Sequence, residues 1–278
     1  IFFLCGMLAV GCVVLISVYM VISGVPAIHK IGLFRFLLGT EWASTAAEPK
    51  FGILPFILTS IYGTAGAIVL GVPVGFMTAV FLAKVAPPRL ASLVRPAVDL
   101  LAGIPSVVYG LVGMIVLVPA IQRTFQLASG ATLLTAIVVL AVMILPSIIN
   151  VAETALQAVP REYEEASLAL GATHIETIFR ISLPAARSGV ATAVVLGVGR
   201  AIGEAMAIIM VSGNVPNMPE SLFTPVRFLT TAIASEMSYA AVGSLWQQAR
   251  YSVGLVLFLF IMIINVILNV CIKNRKEG

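Results

Sequence analysis

Residues 160–184, PREYEEASLALGATHIETIFRISLP, form the one long polar-rich run in a 278-residue chain that is otherwise largely hydrocarbon. Pro160 suits the first turn of a helix, where its missing N–H is no loss. Glu162, Glu164 and Glu165 follow it, near the positive end of the helix dipole. Gly171 can turn left-handed without a Cβ penalty and is placed to end that helix. Thr173 and Glu176 have the spacing of a capping box, so a second short helix is expected to begin there and to end at Leu183-Pro184. The expected product is a helix–glycine–helix elbow, with Ala166, Leu168, Leu170, Ile175, Ile178 and Phe179 set among its charges.

What surrounds the elbow is apolar. The chain is 60% hydrophobic and only 10% charged, with a mean hydropathy of +1.10. Soluble domains carry about 25% charged residues. The composition therefore describes a polytopic membrane protein, and the net charge of +4 is read through its placement, not as a nucleic-acid signal. Cys5 and Cys12 lie in the first apolar run and Cys271 in the last, with no metal-like or disulfide-like spacing. Residues 1–28 hold no charge, which is too long for a signal-peptide core of about 7–15 residues. A chain that opens on Ile1 is expected to lack an N-terminal piece.

A helix needs about 20 apolar residues to cross a bilayer. Six runs qualify, at about 1–25, 54–83, 97–121, 131–152, 188–213 and 251–272, joined by segments 26–53, 84–96, 122–130, 153–187 and 214–250. The tail residues Lys273, Arg275 and Lys276 are expected in the cytoplasm by the positive-inside rule. Six spans then put the 84–96 loop, with Lys84, Arg89 and Arg95, and the 160–184 elbow on the same side. Lys30, Arg35, Lys50, Arg123, Arg227 and Arg250 fall on the outer side and dilute the asymmetry. Phe34, Phe36 and Trp42 suggest an interfacial piece within 26–53. Pro216, Pro219 and Pro225 suggest a short-helical or re-entrant cap within 214–250, not another span. Pro73, Pro105 and Pro146 predict kinks, serving either packing or a pathway. Gly63, Gly66, Gly71 and Gly75 would let helices approach closely.

Glu165-Ala166-Ser167, then Gly171, Ile181 and Leu183-Pro184, resemble the EAA loop of bacterial ABC importer permeases, EAA-x3-G-x9-I-x-L-P, with Ser167 in place of the third Ala. The resemblance implies an all-α membrane protein of six transmembrane helices, the MetI-like type I importer permease, as one domain over residues 1–278. It implies that the 160–184 loop is a coupling helix docking in a cleft of a separate ABC ATPase subunit, through Glu165, Ala166, Gly171, Ile181, Leu183 and Pro184.

Arg200 and Glu204 stand inside the fifth apolar run, LGVGRAIGEAMAIIMVSGN. Each ionisable group at a helix centre costs roughly 2.5–3.5 kcal/mol on insertion scales. At i and i+4 they would share a helix face and pair, with Gly197, Gly199 and Gly203 leaving room beside them. The pair reads either as a strut in the bundle or as a site on a pathway, where a guanidinium fork suits an oxyanion such as phosphate. The stretch RAIGEAMAIIMVSGN resembles the fifth span of PstC-type phosphate permeases, as do FLLGTEW (36–42), FGILPFILTS (51–60), AGIPSVVYG (102–110), VRFLTTAIASEM (226–237) and GSLWQQARYSVGLVLF (243–258). That resemblance implies that Arg200 and Glu204 matter for phosphate passage. It also implies an extracytoplasmic phosphate-binding protein and a second, different permease subunit. Ser106 and Tyr109, after the Pro105 kink, could offer hydroxyls to a passing anion. Asp99 is expected to pair locally with Arg95, and Asn150 to bond between helices.

His29 and His174 are far apart in this topology and form no metal or catalytic set. No G-x-x-x-x-G-K-[ST] loop and no H-E-x-x-H occurs, so the chain is not expected to be an enzyme or to hold a cofactor, and ATP belongs to the partner. Import of another oxyanion (phosphonate, molybdate or sulfate), or an intramembrane enzyme built on Arg200, Glu204 and Asp99, are the alternatives.

Overall fold

The computed structural model describes residues 2–237, 239–241 and 243–274, with side chains to residue 267 of the last helix. Arg275, Lys276 and the side chains of Cys271 and Lys273 lie outside the described residues. The chain is nearly all helix. In order come α1 (Phe2–Ile31), α2 (Leu33–Leu38), a two-rung antiparallel hairpin of β1 (Trp42–Ala43) and β2 (Lys50–Phe51), α3 (Leu54–Val80), α4 (Pro88–Gly103), α5 (Ser106–Val112), α6 (Val118–Thr124) and α7 (Leu133–Gln157). Then follow α8 (Arg161–Ala169), α9 (His174–Thr177), α10 (Leu183–Ala185), α11 (Arg187–Gly203), α12 (Met206–Val211), α13 (Leu229–Glu236) and α14 (Leu245–Asn274). Single π-helical turns at Phe81–Val85, Gly113–Leu117 and Ile178–Ser182 extend α3, link α5 to α6 and link α9 to α10.

Among the described residues, five helical stretches are long and apolar enough to cross a membrane: Phe2–Ile31, Leu54–Val85, Ser106–Thr124, Leu133–Gln157 and Leu245–Ile267. A sixth is a bent pair, His174–Ala185 with Arg187–Gly203, meeting at 72°. The expected third span, 97–121, is redrawn. Residues 97–103 complete α4, which starts at Pro88, and the chain breaks at Ile104-Pro105 before α5. Proline disfavours helical backbone in the residue before it, and Ile104 is extended at ψ 127.

α7 is the central post, the most deeply buried of these stretches. α3 lies along it because glycines face its isoleucines. A Cβ on Gly66 would come within 2.7 Å of Ile137, on Gly71 within 2.7 Å of Ile144, and on Gly75 within 3.1 Å of Ile148. Gly197 brings α11 against Ile148 in the same way. The apolar core has one part around Leu140, Met143, Val211 and Phe228, and an adjoining one around Phe36, Phe51, Phe56 and Leu229, the two meeting at Phe228-Leu229. Phe36 and Trp42, expected at an interface, belong to that second part and are buried; Phe34 alone of the three is exposed. Trp42 is held by β1–β2 pairing opposite Phe51 and packs edge-on to it. Within 214–250 the chain forms the short helix α13, and α14 begins at Leu245, earlier than the expected sixth run.

Candidate functional site

The elbow is built by its own local chemistry. Pro160 stands at the N-cap, one residue before α8, and Gly171 has φ +89. The Thr173 hydroxyl accepts from the Glu176 N–H while the Glu176 carboxylate accepts from the Thr173 N–H, the reciprocal capping box. These backbone and hydroxyl bonds hold the Glu176 carboxyl below its ordinary value. The second arm ends at Ala185, one residue past Leu183-Pro184. α10 runs on from the π-helical turn with Pro184 inside the continuous arm, and the chain bends at Ala186 into α11.

Glu164 anchors the elbow to the rest of the molecule. Its Oε1 accepts from Lys84 Nζ at 2.5 Å and from Ser182 Oγ at 2.7 Å. Burial alone would push this carboxyl up, but the Lys84 and Ser182 bonds outweigh it and hold it below the usual range. The Lys84 carbonyl meets His174 Nε2 at 3.1 Å, and Ser167 bonds Thr177 across the two arms. Glu165 points to solvent, beside the exposed apolar side chains of Tyr163, Leu168, Leu170, Ile175 and Phe179. The elbow thus has one face bolted to the end of α3 and another left uncovered.

The second constellation surrounds a break in the fifth apolar run. α11 stops at Gly203; Glu204 is extended at ψ 130, and α12 restarts at Met206. The i, i+4 geometry expected for Arg200 and Glu204 is therefore absent, and the two do not pair. Arg200 reaches α7 instead, donating to Ser147 Oγ at 3.1 Å. Glu204 Oε1 accepts from the Ala207 N–H at 3.0 Å, and its carbonyl accepts from Thr230 Oγ1 of α13 at 2.8 Å. Backbone groups freed inside a bilayer must be met by neighbours, and α13 meets one of them here. Cβ atoms added at Gly103, Gly199 and Gly203 would meet nothing within 4 Å, so the breaks in both the third and fifth runs have an unpacked side. Tyr109 donates to the Leu101 carbonyl, bridging the Pro105 break, and α12 lies on α5, with Ala207 against Gly110. Ser106 opens α5 and has no hydrogen bond among the described contacts of its side chain.

Asp99 does not pair with Arg95. It accepts from Asn150 Nδ2 at 2.9 Å, the expected interhelical bond, while Arg95 Nε donates to the buried Glu153 at 2.5 Å. α4 crosses α7, and the 51- and 58-residue separations put both partners on the same neighbouring helix. A further ionic cluster was not legible in the sequence: Glu236 accepts from both Arg227 and Arg250. Its members are 9 and 14 residues apart, outside helical spacing, and only their apolar setting singles them out.

Interrupted spans, a half-buried guanidinium beside the break and an uncovered polar elbow define a membrane permease. The chain belongs to the family of binding-protein-dependent transport system inner membrane components, which matches residues 71–274. It is 38% identical over 267 residues to a probable ABC transporter permease, YqgH, of Bacillus subtilis, covering 94% of this chain and 86% of that one. It is 35% identical to the phosphate transport system permease PstC of Pasteurella multocida, covering 88% and 82%, and 34% identical to that of Haemophilus influenzae, covering 94% and 88%. Among solved structures, a chain of a bacterial alginate ABC transporter matches at a TM-score of 0.65 with 17% identity, over 98% of this chain and 93% of that one. A chain of the inward-facing MetNI methionine transporter matches at 0.62 with 19% identity, over 80% and 96%. These last two share the fold. The protein is thus a multi-pass permease subunit of an ABC importer and not an enzyme.

Proposed function

We propose that this permease carries inorganic phosphate inward, with Arg200 as the guanidinium that receives it beside the break at Gly203–Ala205. The observation that carries this is the state of Arg200: it is half-buried, it reaches a neutral hydroxyl at Ser147 and no carboxylate, and Gly199 and Gly203 beside it in the chain leave open space. A guanidinium without a carboxylate keeps its parallel N–H donors for an oxyanion. Glu204 spends one oxygen on the Ala207 N–H and keeps the other, which can accept the proton of hydrogen phosphate and disfavour fully deprotonated oxyanions. Ser106 and Tyr109 stand at the facing break and add hydroxyls to the path. The phosphate permeases among the relatives support the same substrate, while the Bacillus relative's name gives none.

The chain holds half a pathway and works beside a second, different permease subunit. A phosphate-binding protein delivers substrate to the side of α2, the β1–β2 hairpin and the 214–250 segment. A separate ATPase, which binds and hydrolyses ATP, docks on the opposite, cytoplasmic side against Glu165 and the apolar face of the elbow. Gly171 shapes that face, and Ile181, Leu183 and Pro184 carry its motion through the 72° bend into α11. α11 and α3 then rock with the elbow as packed bodies and move Arg200 from one access to the other.

Uptake of radiolabelled phosphate by the reconstituted assembly, against arsenate, sulfate and molybdate, tests this. Phosphate uptake that needs ATP and the binding protein is expected, with loss in Arg200→Gln. Transport of another oxyanion in preference to phosphate would overturn the substrate.

A further inference from the structure

Beyond Arg200, the described residues hold one other concentration of basic side chains inside the fold. Arg250, on the first turns of α14, is 1% exposed, and Arg227, just before α13, is nearly buried. Both donate to the two oxygens of a single carboxylate, Glu236 at the end of α13. Two guanidiniums against one carboxylate leave one positive charge in excess. Arg227 also donates twice to the Asn214 carbonyl, which satisfies it. Arg250 is not satisfied: its Nε and Nη1 are buried and have no hydrogen-bond partner. Its guanidinium lies 4.4 Å from the Trp246 ring, whose N–H is unpartnered too. Oδ1 of Asn214, whose carbonyl Arg227 holds, is unpartnered as well. Among the described residues, four of the eight buried unpartnered side-chain atoms thus belong to this one neighbourhood. Buried polar groups are nearly always partnered, so such a concentration, three donors and one acceptor, asks for a polar occupant.

The cluster also has a place on a line. Thr230, near the start of α13, touches the carbonyl of Glu204, and Glu236 closes the same helix six residues later. At 1.5 Å per residue the arginine pair stands about 9 Å along α13 from the break. It lies toward the end of the bundle opposite the elbow, where Arg227 stacks on Phe56 near the start of α3.

We propose that Arg227 and Arg250 form a second oxyanion station on the outer limb of the path, whose ligand Glu236 stands in for in the present conformation. A carboxylate bridging two guanidiniums presents its oxygens as a tetrahedral oxyanion would, and the spare donors of Arg250 would take a further oxygen. Opening of the outer side draws α13 away from α14, withdraws Glu236 and exposes the pair to the incoming anion. Closing returns the carboxylate, which competes the anion off toward Arg200. This rests on the oxyanion import proposed above.

The test is equilibrium binding of radiolabelled inorganic phosphate to the purified, fully assembled transporter without its binding protein. Glu236→Gln should raise phosphate affinity about tenfold or more over the unsubstituted assembly, and Arg250→Gln added to it should abolish the gain. Glu236→Asp, which keeps the charge but draws it back by one methylene, should give a smaller gain and covers failure of the first variant to assemble. Equal affinity in the unsubstituted protein and either Glu236 variant overturns the proposal, as does a gain that survives Arg250→Gln. ATP-driven phosphate uptake by the unsubstituted assembly is measured in parallel. If uptake is absent while the Glu236-dependent binding is present, the substrate assignment fails and the station stands; normal uptake without that binding has the opposite meaning.

Discussion

Glu164→Gln removes the charge that bolts the elbow to α3. The Lys84 and Glu164 side chains are 10% and 20% exposed, and the same carboxylate oxygen also holds Ser182. Stranding one partner of a buried pair costs about 3–5 kcal/mol. Partial exposure lets water recover some of this, so about 2–3 kcal/mol is expected here. At 1.4 kcal/mol per tenfold, the docked elbow then loses roughly 30- to 140-fold in preference over the undocked one. A loosened elbow takes up the push of the ATPase without passing it on. The assay is phosphate imported per ATP hydrolysed in proteoliposomes, with hydrogen exchange over 161–185 as a structural control. Glu164→Gln and Lys84→Met should both hydrolyse ATP with depressed import and faster exchange, and the swap Lys84→Glu/Glu164→Lys should restore part of both. The pH dependence has a definite sign. The folded carboxyl titrates below its ordinary 4.5, so its stabilisation is complete above that value and is lost as pH falls through the lower folded one. Coupling should therefore be flat between neutral pH and about pH 5. Unchanged coupling and unchanged exchange in both single variants would refute the role of the pair.

Gly171→Val places a β-branched residue at φ +89, costs about 1–3 kcal/mol of backbone strain, and should leave an assembled transporter that hydrolyses ATP with little uptake. Glu165→Lys, on the exposed face, should weaken copurification with the ATPase without changing thermal stability, measured on the same preparations. Arg200→Lys replaces a fork with a point charge and should lower phosphate turnover about tenfold. Glu204→Gln should reduce phosphate and arsenate uptake together, and full retention of phosphate flux would remove the role given to its free oxygen. Gly71→Val drives a side chain into Ile144 and the Ala141 carbonyl, 2.7 and 3.0 Å from an added Cβ, and should lower the melting temperature by an amount matching about 1–3 kcal/mol of overpacking.

Features fixed by local chemistry were legible in the sequence. The Thr173–Glu176 box, the left-handed Gly171 and the glycines of α3 depend on a few neighbouring residues or on the absence of a side chain. The end of α11 at Gly203 was not legible, because no proline marks it. It is held by Thr230, 26 residues on, and by the Glu204 side chain capping α12. The local sequence therefore continues the helix and places Arg200 beside Glu204, not Ser147. Arg95 and Asp99 failed for a related reason: four residues apart on one helix, they nonetheless bond across to α7, where Glu153 and Asn150 are better placed. Arg227 and Arg250 looked like loop charges, since nothing near them in sequence shows that Glu236 gathers both.

The most direct test of the account places a cysteine at Leu170, 90% exposed at the tip of the elbow, in a background with Cys5, Cys12 and Cys271 replaced. A membrane-impermeant maleimide should leave it unlabelled in intact cells, label it in inside-out vesicles stripped of the ATPase, and fail again once the ATPase is added back. Labelling from outside intact cells, or labelling that the restored ATPase does not block, would contradict an elbow driven by a motor protein from within the cell.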